Sequence, residues 1–172
     1  WQQMIEQGGG AVVNTTSSVG LFGQKRSPVY AAGKMGVVGM TRVLALEGAE
    51  YGIRVNAIAP VARSQMSEGV YGRLDPKLDP ELVSAAVLAL AHPDSPVTGE
   101  VISAGGGRIS RLLIAAAEGY FSAELTAEEA FEQLVEVAAS ESVQSVPTCA
   151  MDEIDLIRQC FPDLADAPMP RR

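Results

Sequence analysis

The chain has 172 residues, 47% of them hydrophobic and 20% charged, which suits one globular domain with or without a tail and excludes a long disordered protein. Its formal charge of −8 is uneven: ten Lys and Arg face nine Asp and Glu up to Ala117, and three face twelve from Glu118 on. Neither part carries the basic stripe with interleaved aromatics that a phosphate backbone needs, so nucleic acid is not expected as a partner and the acidic tail is read as a solvated face.

Residues 1–7 read as the end of a helix that runs into the turn Gly8-Gly9-Gly10. Residues 11–17 are short and rich in β-branched side chains, which predicts a buried strand, and residues 20–28 are assigned to a loop. Over residues 29–47 apolar side chains recur at helical spacing, with Met35, Val38 and Leu44 among them. Ala31, Ala32, Gly33, Gly36 and Gly39 make that helix small-sided, and isolated glycines cost a helix about 1 kcal/mol each. Close approach of its backbone to a sheet or to a second copy would offset this. Residues 53–60 predict a second buried strand ended by Pro60, which completes a strand-helix-strand unit. Such units favour a parallel, doubly wound α/β sheet.

Residues 62–78 are expected to be a mobile polar loop. Asp79-Pro80-Glu81 starts a helix with Asp as cap and Pro in the first turn, and His92-Pro93 ends it. Residues 98–104 predict a further strand closed by Gly105-Gly106-Gly107. In the tail, Thr126-Ala127-Glu128-Glu129 has the pattern of a capping box and opens a helix to about Ala139, followed by a short helix over 152–159. The longest apolar runs, such as residues 84–90, fall far short of the ~20 residues that cross a bilayer, so no membrane partner is expected and the chain is placed in the cytoplasm. Cys149 and Cys160 have neither CxxC spacing nor a histidine neighbour, so reduced structural thiols are expected and a metal site is not.

The chemistry-bearing pair is Tyr30 and Lys34, four residues apart on one helix and so on one face. A phenol titrates near ~10 and catalyses poorly at neutral pH unless a neighbouring cation stabilises the phenolate. The other tyrosines, Tyr51, Tyr71 and Tyr120, have Val55, Asp75 and Glu124 at that offset. Thirteen residues before Tyr30, Ser17 ends the first strand, where open α/β sheets bind ligands.

Asn14-Thr15-Thr16-Ser17, Tyr30-x-x-x-Lys34 and Arg54-Val-Asn-Ala-Ile-Ala-Pro60 occur in an order and spacing that resembles the second half of the short-chain dehydrogenase/reductase family. The resemblance covers residues 1–107. It implies the C-terminal half of a Rossmann-like doubly wound parallel sheet over 1–107, followed by an acidic, mainly helical extension over 108–172. It also implies catalytic Ser17, Tyr30 and Lys34: Ser17 hydrogen-bonding the carbonyl or alcohol oxygen, Tyr30 moving the proton, Lys34 tuning Tyr30 and holding a nicotinamide ribose. NAD or NADP would be met by Thr15, Thr16, Tyr30, Lys34, the backbone at Pro60 and Val61, and Ser64. Val61 stands where many members carry Gly. The segments Pro60-Val-Ala-Arg-Ser-Gln-Met66, Asp79-Pro-Glu-Leu-Val83 and Gly105-Gly-Gly-Arg-Ile109 are similar to the dehydrogenase unit of multifunctional enzyme type 2, which oxidises 3-hydroxyacyl-CoA thioesters, and to bacterial hydroxysteroid and hydroxyacyl dehydrogenases.

No G-x-G-x-x-G or G-x-x-x-G-x-G occurs, and Gly8 to Gly10 and Gly105 to Gly107 flank the wrong elements to cradle a pyrophosphate. The chain is therefore expected to be part of a longer enzyme. A truncated, catalytically inactive dimerisation or regulatory module is the competing reading, and an acyl-carrier-protein thioester or a sugar remains open as substrate. Asn56 is expected to close its strand through backbone hydrogen bonds, His92 to cap a helix end, and Met35, Met40 and Met66 to pack, Met66 in a loop over the substrate. Gly33, Gly36 and Gly39 align on one helix side, and the resemblance implies that this helix packs on its symmetry mate in a homodimer or tetramer.

Overall fold

The computed structural model describes residues 1–65, 67 and 69–161; Met66 lies outside them. The elements in chain order are α1 (Gln2–Glu6), β1 (Gly10–Thr15), α2 (Ser18–Phe22), α3 (Pro28–Gly48), β2 (Ile53–Pro60), α4 (Pro80–Ala91), β3 (Val101–Gly105), β4 (Arg108–Leu112), β5 (Ala116–Ala117), α5 (Ala127–Ala139), β6 (Val143–Ser145) and α6 (Ala150–Gln159). Two compact units result, Trp1–Leu112 and Leu113–Arg172.

In the first unit the strand order is β1-β2-β3-β4. β1, β2 and β3 run parallel, with Thr15 opposite Ile58 and Pro60 opposite Ala104. β4 returns antiparallel along β3. This strand was not expected. Gly106 and Gly107 both have positive φ, 58° and 80°, the backbone of a tight two-residue hairpin turn, so the glycine triplet reverses the chain and does not merely end a strand. The division between units consequently falls after Leu112, five residues beyond the 107/108 boundary expected from sequence.

Alternation along β2 sends its side chains to both faces. Ile53, Val55 and Ala57 are buried on the α3 side with Val38 and Ala45. Ile58 is buried on the α4 side with Val83, Ala86, Leu90 and Ala104. The arrangement is Rossmann-like, one helix on each face of a mainly parallel sheet. Gly48 is obligatory at the end of α3, because a Cβ there would sit 2.6 Å from the carbonyl of Ile53 and 3.1 Å from the Trp1 ring.

α3 and the turn that follows it, Pro28–Tyr51, are long and apolar enough by length and composition to cross a membrane. No contiguous apolar run signals this, because Ala, Gly, Val and Met are spread between charges. Here the helix lies along β2 and β1, burying Val38, Thr41, Ala45 and Gly48.

Residues 20–28 are not all loop: Ser17 caps α2, its Oγ accepting the Val19 amide at 3.2 Å. Residues 72–77 of the expected mobile loop form a short 3₁₀ helix. Asn56 meets its expectation, its Nδ2 donating to the Val97 carbonyl at 2.9 Å and its Oδ1 accepting the Glu100 amide at 3.1 Å. His92 does not cap α4 with its ring, whose Nδ1 accepts the Asp94 amide at 3.2 Å. Met35 and Met40, expected in the packing, are 39% and 48% exposed.

In the second unit β5 and β6 form a two-stranded antiparallel ladder. Thr126 caps α5 by accepting the Glu129 amide at 3.2 Å. Cys149 and Asp152 cap α6 reciprocally, and Phe121 meets Phe161 edge-on at 5.1 Å between ring centroids.

Candidate active site at the carboxyl edge of the sheet

The parallel strands all end on one edge, which gathers the segments after β1, β2 and β3. Ligands of open α/β sheets bind outside this edge. Ser17 lies two residues past β1, Val61 directly after β2, and Gly105 at the end of β3.

Tyr30 and Lys34 occupy the first turns of α3, where Pro28 fixes the entry and has no amide to leave unpaired. The Lys34 ammonium stands 5.7 Å from the centroid of the Tyr30 ring, a cation–π distance. It also donates to the carbonyl of Thr15 at 3.0 Å, which ties it to the strand end that leads into Ser17. One of its three protons is thus committed, and two remain for a ligand. Tyr30 is 51% exposed. Ser17 accepts an amide and so keeps its own hydroxyl proton free to donate.

The structure therefore brings Tyr30, Lys34 and Thr15 together and holds Ser17 on the adjoining turn. Thr16 departs from the expected cofactor contact. It is 1% exposed, and its hydroxyl donates to the Lys34 carbonyl at 2.6 Å. After β2, the Val61 amide donates to the Ala104 carbonyl at 2.8 Å and prolongs the parallel ladder, so only its carbonyl side could meet a carboxamide. Pro60 has no amide to offer. Ser64 is exposed, and its hydroxyl lies 3.2 Å from that of Ser67.

Three residues escaped the sequence reading. A Cβ on Gly20 would lie 2.8 Å from the Met35 amide nitrogen and 2.9 Å from the Lys34 carbonyl carbon, so the missing side chain seats α2 against α3. Gly105 lies so close to the Val61 carbonyl that any side chain would collide with it. Ser67 accepts the Ser64 amide at 2.8 Å and donates to the Ala62 carbonyl at 3.1 Å, shaping the loop after β2. Only the Ser-x-x-Ser spacing hinted at this last contact.

Residues 1–70 match the model of the short chain dehydrogenase family. This part of the chain is short-chain dehydrogenase/reductase sequence. The chain is 41% identical over 113 residues to the peroxisomal hydratase-dehydrogenase-epimerase of Saccharomyces cerevisiae, covering 65% of this chain and 13% of that protein. It is 36% identical over 113 residues to the peroxisomal multifunctional enzyme type 2 of Mus musculus, covering 65% of this chain and 15% of that one. The solved full-length peroxisomal multifunctional enzyme type 2 of Drosophila melanogaster superposes with a TM-score of 0.76 over 96% of this chain and 31% of that one, at 21% identity, which speaks to the fold. The chain thus spans less than a third of each, and the similarity to multifunctional enzyme type 2 agrees with the segments after Pro60.

The residues fit one end of a nicotinamide cofactor. Two free ammonium protons, an exposed phenol and a free serine proton suit a ribose, a nicotinamide and a reacting oxygen. Nothing in the sequence supplies a glycine-rich turn for the pyrophosphate.

Proposed function

We propose that the chain carries the proton-transfer site of an NAD- or NADP-dependent oxidoreductase that interconverts a secondary alcohol and a ketone, with a 3-hydroxyacyl-CoA or hydroxysteroid-type substrate. The observation that supports it most is Lys34, placed against the Tyr30 ring while bonded to the strand end beside Ser17. The substrate class rests on the similarity to multifunctional enzyme type 2.

A bound nicotinamide would supply the hydride acceptor in oxidation and the donor in reduction, held by Lys34, Tyr30 and the loop of Val61 and Ser64. In oxidation the substrate's hydroxyl proton passes to the Tyr30 oxygen as its carbinol hydrogen departs with an electron pair. In reduction the Tyr30 hydroxyl returns that proton to the developing alkoxide. Ser17 donates to the same oxygen in both directions, and preorganised donors of this kind stabilise charge where it develops. Lys34 sets its positive charge beside the Tyr30 ring, 5.7 Å from the ring centroid.

The test is turnover of a 3-hydroxyacyl-CoA with NAD or NADP by the wild type and by Tyr30→Phe. Turnover that disappears in the variant while cofactor binding persists is the expected result. Retention of more than a few per cent of activity would overturn the role of Tyr30.

A second reading is an inactive dimerisation or regulatory module; tight binding of NAD or NADP in a calorimetric titration would refute it. Both readings share a homodimer or tetramer of the full-length protein, formed through α3. Gly33, Gly36 and Gly39 have nothing within 4 Å of where a Cβ would stand, so these glycines do not serve the chain's own sheet. The 172-residue chain alone is expected to aggregate, and light scattering that gives a stable, cooperatively melting monomer of 18.0 kDa would contradict the helix-face argument. The cytoplasm is the compartment we assign, supported by the free thiols of Cys149 and Cys160; the peroxisome in the relatives' names is the competing placement.

A further inference from the structure

Two polar side chains of β1 and the turn after it point at α3 from the same face, Asn14 partly exposed and Thr16 buried. Asn14 Nδ2 donates to Thr41 Oγ1 at 2.9 Å, and Thr16 Oγ1 donates to the Lys34 carbonyl at 2.6 Å. Thr41 is fully buried and Thr16 is 1% exposed. Positions 34 and 41 are seven residues apart, two turns on one helix face, so the two bonds fix both the rotation and the height of α3 along the strand.

The Lys34 carbonyl lies inside α3, where the helix ladder already uses it, so the Thr16 hydroxyl is not there to rescue an orphan acceptor. Lys34 meanwhile returns a bond, its ammonium donating to the Thr15 carbonyl at 3.0 Å. The Thr15-Thr16 pair and Lys34 therefore clasp each other, one bond through the threonine side chain and one through the lysine side chain. The absent side chain of Gly20 closes α2 on the backbone of the same residue.

We infer that Thr16 is a positioning residue: its buried hydroxyl holds the Lys34 turn of α3 at the height from which the ammonium reaches both the Thr15 carbonyl and the Tyr30 ring. The inference rests on the proposed role of Lys34, and its test reads the lysine itself as well as turnover. The chain has three lysines, Lys25, Lys34 and Lys77, so reductive methylation of the full chain with ¹³C-formaldehyde gives a lysine spectrum simple enough to assign with Lys34→Arg. A dimethylated ammonium still carries one proton to donate.

The wild-type Lys34 signal is expected to stand apart from that of Lys25, to move most of the way towards it in Thr16→Val, and to stay in place in Thr16→Ser, which keeps the hydroxyl. An unmoved signal in folded Thr16→Val would overturn the inference and leave Thr16 a packing residue that affects only the melting temperature. If Thr16→Val does not fold, Thr16→Cys, a weaker donor of similar size, is expected to move the signal part of the way, and an unmoved signal there overturns it equally. In the turnover arm, kcat should fall about tenfold in the valine variant, with KM held within about twofold, and recover in the serine variant. A wild type without turnover would sink the enzymatic reading while the lysine spectrum still decides the clasp.

Discussion

Arg54 of β2 closes the last turn of α4 by donating to the carbonyl of Leu90 at 2.9 Å, and a second guanidinium nitrogen reaches the carbonyl of His92 at 2.7 Å. The last carbonyls of a helix have no partner within it, and a planar fork can serve two at once. Arg54→Met should therefore cost about 1.5–3 kcal/mol in urea unfolding, the range for hydrogen bonds to charged groups. Arg54→Lys should recover only part of it, since one ammonium cannot span both oxygens.

Ser17 caps α2 by accepting the Val19 amide, and in the proposed function the same oxygen donates its own proton to the reacting oxygen. Ser17→Ala should lower turnover by about 10²-fold, the loss typical of one donor at a developing oxyanion. Ser17→Thr retains both functions and should recover activity. If alanine and threonine variants were equally impaired, crowding at the turn would explain the loss better than the missing proton.

Gly20→Ala forces a methyl group to within 3 Å of the backbone of Lys34 and Met35. α2 must move off α3 and carry Ser17 with it. The expected cost is about 1–3 kcal/mol of stability, as for other overpacked sites, with a fall in kcat larger than any change in cofactor affinity. Gly119→Ala is the control: nothing lies within 4 Å of that position and its φ is not in the left-handed region.

In the second unit the pH response is carried by Asp152, held at about 2 by the Thr148 amide and hydroxyl and the Cys149 amide and thiol. Its folded value lies below its unfolded one, so it stabilises the folded form above pH ~4, the ordinary aspartate value. That contribution is lost as the pH falls from there through about 2. Amide resonances of Thr148 and Cys149 should shift across this window in the wild type and stay flat in Asp152→Asn. Tyr120 and Glu129 form a second such pair at 2.5 Å. The phenol is raised by donating to the carboxylate, and the carboxylate is lowered by accepting from it.

The parts of the fold that the sequence discloses are those with a strong period or cap. α3, α4, β2 and the Thr126 cap of α5 follow from spacing, proline and capping chemistry, and Tyr30 and Lys34 share a face because four residues make about one turn. What escaped has no local signature. Two consecutive glycines can equally end a strand or turn a hairpin, and only a partner strand at Ile109 to Leu112 decides for the hairpin at Gly106-Gly107. The Thr16 hydroxyl looks like any strand-end threonine until a carbonyl eighteen residues away receives it. His92 shows the opposite failure. Its position at a helix end is right for a cap, but an arginine distant in sequence had already taken the carbonyl.

The glycines of this chain separate into two kinds whose tolerance to substitution would differ. Gly20, Gly48 and Gly105 are closed by atoms of the same copy, so replacing them damages the fold wherever the protein is measured. Gly33, Gly36 and Gly39 face open space, so alanine there should leave an isolated copy folded and even raise its helix propensity. Selection in a living cell would separate the cases: a position that tolerates alanine in the tube but not in the cell reports an atom that a single copy does not contain. A deep mutational scan of α3 thus tests whether a neighbour lies against it.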